Sequence, residues 1–413
     1  MRVLSGQSAE RRVRKLERRG LDLVQVEPQV RRIADDVRRD GDRALRRYAT
    51  KWDGLEQQDP IRVPEAELEA AWAMVSPALR KALRDAAMRI RRFCQWQLPR
   101  TWTRNGNGIS LGQVVRPLES VGCYVPGGRY PLLSTLLMTV IPAQVAGVSR
   151  IRVVSPAPKD ELLAAAYMLE VRELYRVGGA QAIAALAYGT ESIPRVDKIV
   201  GPGNVYVTVA KKFVSFDCSI DFLAGPTETL IVSSRGRAEF IAADLVAQAE
   251  HDPAAVPVFI TTSKQLALRV KACVKRFATK NALALRSLSL TGVVLLSASH
   301  NEAFEWANRI APEHITIDAD DLPRVQNAGS IFIGDYSAQA AGDYASGPNH
   351  VLPTTGVARF RGGLSVQDFV KIITVQRVSK RGLQRMGRTI ACLAEAEGLS
   401  AHAQSIRVRC GDA

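Results

Sequence analysis

Leu174-Tyr175-Arg176-Val177-Gly178-Gly179-Ala180-Gln181-Ala182-Ile183-Ala184-Ala185-Leu186-Ala187 reads as a short apolar strand, a double-glycine turn and an alanine-rich helix. Strands that pass through glycine into helices of about ten residues are the units of a parallel sheet covered on both faces. The same order repeats on either side. Upstream, residues 114–115 and 121–125 are strand-like, Pro126-Gly127-Gly128 turns, 132–146 is helical up to Gly147, 151–154 is a buried strand and 159–169 a helix. Downstream, 198–200 is a strand before Gly201-Pro202-Gly203-Asn204. A second series has strands at 230–232, 258–261, 293–296, 315–317 and 331–333 with helices between. The reading is α/β, with two doubly wound units of related build.

The flanks differ. Residues 1 to about 100 read as helical: Val30, Ile33, Val37 and Leu45 recur at helical spacing, with a break at Gly41-Asp42. A second helical stretch, 65–96, buries Leu68, Trp72, Val75, Leu79, Leu83 and Ile90 on one face. From about residue 366 the chain turns helical and polar again, as a small tail domain.

With 46% hydrophobic and 23% charged residues, the 413-residue chain has an ordinary globular composition. No apolar run reaches the length of a membrane span, and the charged start (Glu10, Arg11, Arg12, Arg14, Lys15) has no apolar signal region, so a cytoplasmic location is expected. Six cysteines without a CxxC pair suit neither a disulfide framework nor a thiolate metal site, and Cys123 is given no role. The net charge of +15 gathers partly in the first hundred or so residues but comes with interleaved acids and no nucleic-acid-reading module. It reads as a solvated basic face that would favour an anionic ligand such as a dinucleotide; no nucleic-acid partner is expected.

Glycines at the three turns 126–128, 178–179 and 201–204 either satisfy backbone geometry or let a phosphate approach a helix N-terminus; none forms a GxGxxG fingerprint. Converging on one sheet edge, they strengthen the nucleotide reading. In a helix over 237–251, Gln248 and His251 continue the buried stripe, as a hydrogen-bonded pair or as two ligands of one ion. Glu313-His314, after Pro312, stand in a connection at a sheet edge, a surface pair or an acid–base couple. A long loop, 336–354, carries Asp343 and His350, and such length in a compact domain usually serves a site. His402 lies in the tail, and His300 is read as structural, at a strand end. Gln, Asp and two His make a nitrogen–oxygen set suited to zinc.

Taken in order, these stretches resemble the histidinol dehydrogenase family over essentially the whole chain. The resemblance starts at Gly41-Asp42-Arg43-Ala44-Leu45 with Tyr48 and Asp53-Gly54, and runs through Val121-Gly122-Cys123-Tyr124-Val125-Pro126-Gly127-Gly128 and residues 178–187 to Gly201-Pro202-Gly203-Asn204. It continues at Ala224-Gly225-Pro226-Thr227-Glu228, Gln248-Ala249-Glu250-His251, Pro312-Glu313-His314, Gly342-Asp343-Tyr344 and Asn349-His350-Val351-Leu352-Pro353-Thr354.

The resemblance implies two related, incomplete Rossmann-like domains: 21–123 plus 227–364, and an NAD-binding domain 124–226. A 1–20 arm and a 365–413 tail that crosses to the partner of a homodimer complete the chain. It implies Gln248, His251, Asp343 and His402 as ligands of one zinc ion per subunit, and Glu313 and His314 as the catalytic pair. Tyr124, Gln181 and Asn204 match NAD-contacting positions. Thr227, His350 and Glu397 match substrate-binding positions, which also include Gln248, His251, Glu313, Asp343 and His402. The implied activity is oxidation of L-histidinol to L-histidine through the aldehyde, with two NAD reduced. Thr227 and Pro348 depart from the Ser and Thr expected at those positions. Two other readings are a related NAD-dependent dehydrogenase of another small alcohol, such as a sulfonated diol, and a non-enzymatic basic nucleic-acid-binding protein on the same scaffold.

Overall fold

A computed structural model describes residues 1–20, 23–127 and 132–411; Gly128, in the first glycine turn, and Tyr130, in the most apolar segment, lie outside them. The chain opens with β1 (Arg2–Ser5), α1 (Gly6–Glu17) and α2 (Glu27–Trp52). Ala9, Val13 and Leu16 form the buried stripe of α1. Gly41 interrupts α2 with a φ of 53°, the break its sequence announced. The stretch read as one helix over 65–96 is two, α3 (Glu65–Met74) and α4 (Pro77–Gln97). Val75 and Ser76 are extended before Pro77, as the residue before a proline prefers, and the Ser76 hydroxyl accepts from Leu79 N–H at 3.2 Å. Much of the basic charge here is paired: Asp36 takes Arg39 and Arg47, and Asp40 takes Arg39 and Arg43, all within 2.9 Å.

After the hairpin β2 (Trp102–Gly106) and β3 (Ile109–Pro117) come β4 (Ser120–Tyr124), α5 (Leu133–Ala146), β5 (Arg150–Val154), α6 (Asp160–Met168), β6 (Glu173–Tyr175) and α7 (Gly179–Tyr188). β7 (Lys198–Val200), α8 (Val205–Val214) and β8 (Ser219–Ile220) close this series. The second is β9 (Glu228–Val232), α9 (Ala238–Ala249), β10 (Val256–Thr261), α10 (Lys264–Ala278), α11 (Ala282–Leu290), β11 (Val293–Leu296), α12 (His300–Ile310), β12 (His314–Ile317) and β13 (Ser330–Ile333). Each series makes a parallel sheet, β6-β5-β4-β7-β8 and β1-β11-β10-β9-β12-β13. Numbered within its own series, each runs 3-2-1-4-5, a doubly wound order, and β1 adds a sixth strand to the second sheet.

Four features were not legible. β1 pairs with β11 at the edge of the second sheet, although the N-terminal segment reads as helical. The loop read over 336–354 contains a short helix, α13 (Gln339–Tyr344). His300 begins α12 rather than ending a strand, and its Nε2 lies 2.6 Å from Asp321, a structural role. The tail is not wholly helical: β14 (Val370–Val378) pairs antiparallel with β3 before α14 (Lys380–Ala396) and α15 (Ser400–Cys410). β14 carries Ile372, Ile373 and Val375 into solvent, so no one-sided alternation marks it as a strand. No helix among the described residues is long and apolar enough to cross a membrane.

Arg309 of α12 clamps the arm, its guanidinium reaching Glu10 at 2.9 Å and Glu17 at 3.0 Å. Arg309, then Arg14, hold the Glu10 carboxyl down from the usual 4.5 to about 2. A carboxyl depressed on folding stabilises above its unfolded value, and that contribution is lost as pH falls through the folded one. Glu10→Gln should therefore lower Tm at neutral pH and lose less Tm than the parent between about pH 5 and pH 3. Parallel Tm–pH curves for the two proteins would contradict the clamp.

Candidate functional site

Of the sequence-predicted residues, Glu313, His314, Asp343, Gln248 and His350 gather outside the amino ends of β9 and β12, not at the carboxyl edge where ligand crevices of such sheets usually lie. The register sets His314 opposite Thr229, so Glu228 at the head of β9 faces Glu313, and the Glu228 N–H donates to Glu313 Oε2 at 2.9 Å. Glu313 and His314 are both buried. His314 Nδ1 lies 3.7 Å from Glu313 Oε2, out of hydrogen-bond reach, and is buried without a partner; its Nε2 lies 3.5 Å from Asp343 Oδ1. The ring stacks on Phe332, centroids 5.8 Å apart.

Burial pushes the Glu313 carboxyl up to about 8 against the pull of His314. Burial works to lower His314, but Glu313 and Asp343 outweigh it and the imidazole is raised. Asp343, although burial would raise it, is held below the ordinary carboxylate range by His314, His350 and His251. Burial lowers His350, whose Nδ1 lies 2.8 Å from the Asp343 carbonyl. A buried carboxylate and imidazole side by side, with a second carboxylate behind the imidazole, form an arrangement that can take up and release protons.

Two residues absent from the sequence expectations assemble this corner. Gln339, fully buried, accepts from the Thr229 hydroxyl of β9 at 2.6 Å and donates to Thr316 of β12 at 3.0 Å, pinning α13 and its Asp343 across the strand pair. Glu228 forms a bidentate ion pair with Arg19 and accepts from Thr355 N–H at 2.9 Å. Partners 209 residues apart leave no local signal in sequence. Thr227 directly precedes Glu228. The His350 loop is moored by Asn349, which donates to the Met138 carbonyl at 2.6 Å; at Gly347, φ 119°, a Cβ would come within 3.2 Å of the Arg89 carbonyl and Phe93.

Gln248, buried at the end of α9, donates to Asp343 Oδ2 at 2.9 Å; His251, exposed in the turn beyond, is close enough for its charge to act on Asp343. These are nitrogen and oxygen donors of the kind zinc takes, and the side-chain amide can present its oxygen instead. They fit a metal: three protein donors with an open position make a catalytic zinc site, and a fourth protein ligand closes the tetrahedron. Among the described residues no three His, Cys, Asp or Glu form a metal cluster within one chain. His402 and Glu397 are exposed on the tail, His402 bonded through its N–H to Leu399, and no described contact joins either to Asp343.

The described parts of the three glycine turns do share one edge, the carboxyl end of the first sheet. Their amides are largely committed. Asp53 Oδ2 accepts from Gly178 N–H at 2.9 Å and from Gln181 at 3.0 Å, and the buried Tyr124 hydroxyl accepts from Gly179 N–H at 3.1 Å. Gly201 N–H donates to Asp221 at 2.8 Å, and the buried Lys211 donates to the Gly201 carbonyl at 2.6 Å while pairing with Asp221. Asn204 caps α8 through Tyr206 and Val207 N–H. A side chain at Gly201, φ 113°, would collide with the Tyr124 carbonyl. Cys123 is fully buried with its thiol pushed up to about 12, so it is no nucleophile.

A family model described as histidinol dehydrogenase matches residues 16–410. The histidinol dehydrogenase of Methanothermobacter thermautotrophicus is 47% identical over 417 residues, covering 97% of this chain and 98% of the relative. That of Aquifex aeolicus is 45% identical over 411 residues, 97% of this chain and 96% of the relative. The crystal structure of histidinol dehydrogenase from Elizabethkingia anophelis superposes with a TM-score of 0.95 at 35% identity, covering 99% of this chain and 98% of that one.

A Cβ on Gly342 would come within 2.7 Å of the Phe332 ring that supports His314. Gly342→Ala should thus displace the imidazole and lower kcat by about tenfold or more, for about 1–3 kcal/mol of lost stability. Unchanged kcat with a lowered Tm would show that the Phe332 stack does not set His314.

Proposed function

The chain belongs to the histidinol dehydrogenase family, and from that premise we propose that it oxidises L-histidinol to L-histidine through histidinal, reducing two NAD in turn, in the cytoplasm. It is an oxidoreductase of histidine biosynthesis. The observation that carries the fuller reading is the run of contacts from Glu313 to His314, Asp343 and Gln248.

Gln248, His251 and Asp343 would hold one zinc ion with the partner subunit's His402. When bound, zinc would fix the amino and imidazole nitrogens of the substrate and so orient its alcohol carbon. His314 takes the alcohol proton while hydride passes to the first NAD, giving aldehyde, NADH and a proton. Glu313 takes a proton from water as it adds to the aldehyde, and the aldehyde oxygen takes the proton held on His314, giving the hydrate. The hydrate would then pass its carbon-bound hydrogen as hydride to the second NAD and a hydroxyl proton to His314, and the acid so formed loses its remaining proton to solvent as the carboxylate. Thr227, His350 and the partner subunit's Glu397 bind the substrate's polar groups. Tyr124, Gln181 and Asn204, at the carboxyl edge of the first sheet, contact NAD.

The domain division follows the same reading: 124–226 receives NAD, 21–123 with 227–364 carries the reacting residues, and 365–413 crosses to the partner of a homodimer, with 1–20 as an arm. One observation supports the crossing: β14 with its neighbours exposes Trp102, Leu111, Ile372, Ile373 and Val375.

Zinc-loaded protein given limiting L-histidinol should form about two NADH per substrate, and chelation should abolish turnover. No turnover of histidinol beside turnover of another alcohol would remove the substrate assignment. His402→Asn should stay a folded dimer without zinc or activity. Mixed in equal parts with inactive Glu313→Gln, it should recover about a quarter of parent activity through hybrid dimers with one intact site. A fully active His402→Asn would refute the crossing ligand.

A further inference from the structure

Arg19 ends the N-terminal arm, far from the reacting groups in sequence, yet its guanidinium lies beneath them with 13% of its side chain exposed. Its Nε and one terminal nitrogen engage both oxygens of Glu228, whose side chain is 3% exposed. The other terminal nitrogen donates to the carbonyls of Leu16 and, at 2.9 Å, Ile310. Ile310 is the last residue of α12; Ala311, at φ 49°, and Pro312 turn the chain into Glu313. The same guanidinium thus holds the strand head whose N–H binds Glu313 and the helix end from which Glu313 departs. Thr355 N–H adds a third anchor on Glu228, tying in the far end of the His350 loop.

We propose that Arg19 and Glu228 are positioning residues for the Glu313 carboxylate, and that through them the N-terminal arm serves the aldehyde-oxidising half of the reaction. The proposal rests on the reading that Glu313 takes the proton of the attacking water. Among the described residues, the only hydrogen bond to the Glu313 carboxylate is the one from Glu228 N–H, on Oε2. That bond sets where Oε1 meets water, and displacement of a reacting group by an ångström can cost a hundredfold in rate. His314 has separate supports, Asp343 and Phe332. Loosening the Arg19–Glu228 fork should therefore disturb the water step and spare the alcohol step. A planar bidentate guanidinium is not replaced by an ammonium, so Arg19→Lys keeps the charge and loses the geometry.

The test supplies histidinal and histidinol separately to zinc-loaded dimer. The first NADH from histidinol is counted with the aldehyde chemically trapped. Arg19→Lys should lower kcat for histidinal by about tenfold or more, change the histidinol step by less than about twofold, and leave both KM values nearly unmoved. Glu228→Gln, similar in size and still able to accept from Thr355, should behave alike and serves if Arg19→Lys folds poorly. Equal slowing of both steps with a lowered Tm makes the pair a structural brace and overturns the proposal. Glu313→Gln separates the two levels. If it slows the histidinal step selectively and the Arg19 and Glu228 variants do not, the positioning proposal alone falls. If Glu313→Gln shows no such selectivity, the reading of Glu313 falls and the proposal with it.

Discussion

The parallel pairing of β9 with β12 is the constraint on which the site depends. Adjacent parallel strands present their first residues side by side, and here the register puts Glu228 against Glu313 and Thr229 against His314. Each strand alone carries an unremarkable acidic residue at its start. Together they make a buried corner with two carboxyl groups, an imidazole and one backbone donor. Gln339 bridges Thr229 and Thr316 so that α13 lies across the same two strands and delivers Asp343. The corner faces the amino edge of its sheet, leaving the carboxyl edge of the other sheet for the glycine turns.

Those turns illustrate how the same residues can serve backbone geometry and a ligand edge. The amides of Gly178, Gly179 and Gly201 are taken by Asp53, Tyr124 and Asp221. Buried amides need partners whether or not a phosphate comes. Carboxylates near the turns make this edge unlike the free-amide cradle of a GxGxxG loop. A ligand at this edge would meet side chains rather than free amides.

The N-terminal arm, which carried only a basic, helical signature, is tied into the second sheet by β1, by the Arg309 clamp on Glu10 and Glu17, and by Arg19 beneath Glu228. Buried ion pairs bring little net stability over apolar packing of the same volume. Their value here lies in the fixed directions they give to neighbouring backbone.

By itself the sequence determined the alternation of strand, glycine and helix, the break at Gly41, the two sheet-forming series and the residue types available for acid–base and ligand chemistry. These are local properties, set by side-chain periodicity and by the backbone freedom of glycine and proline. Tertiary structure alone decided that the buried corner of Glu313 and His314 lies at the amino edge, that Gln339 and Glu228 assemble it, that Arg19 reaches it across 209 residues, and that β1 and β14 are strands. Those outcomes come from register and long-range pairing, in which each partner's effect depends on where another segment arrives. His402 and Glu397 lie at the limit of both descriptions: their residue types suggest ligands, while one chain leaves them exposed on a tail whose strand carries an exposed apolar face.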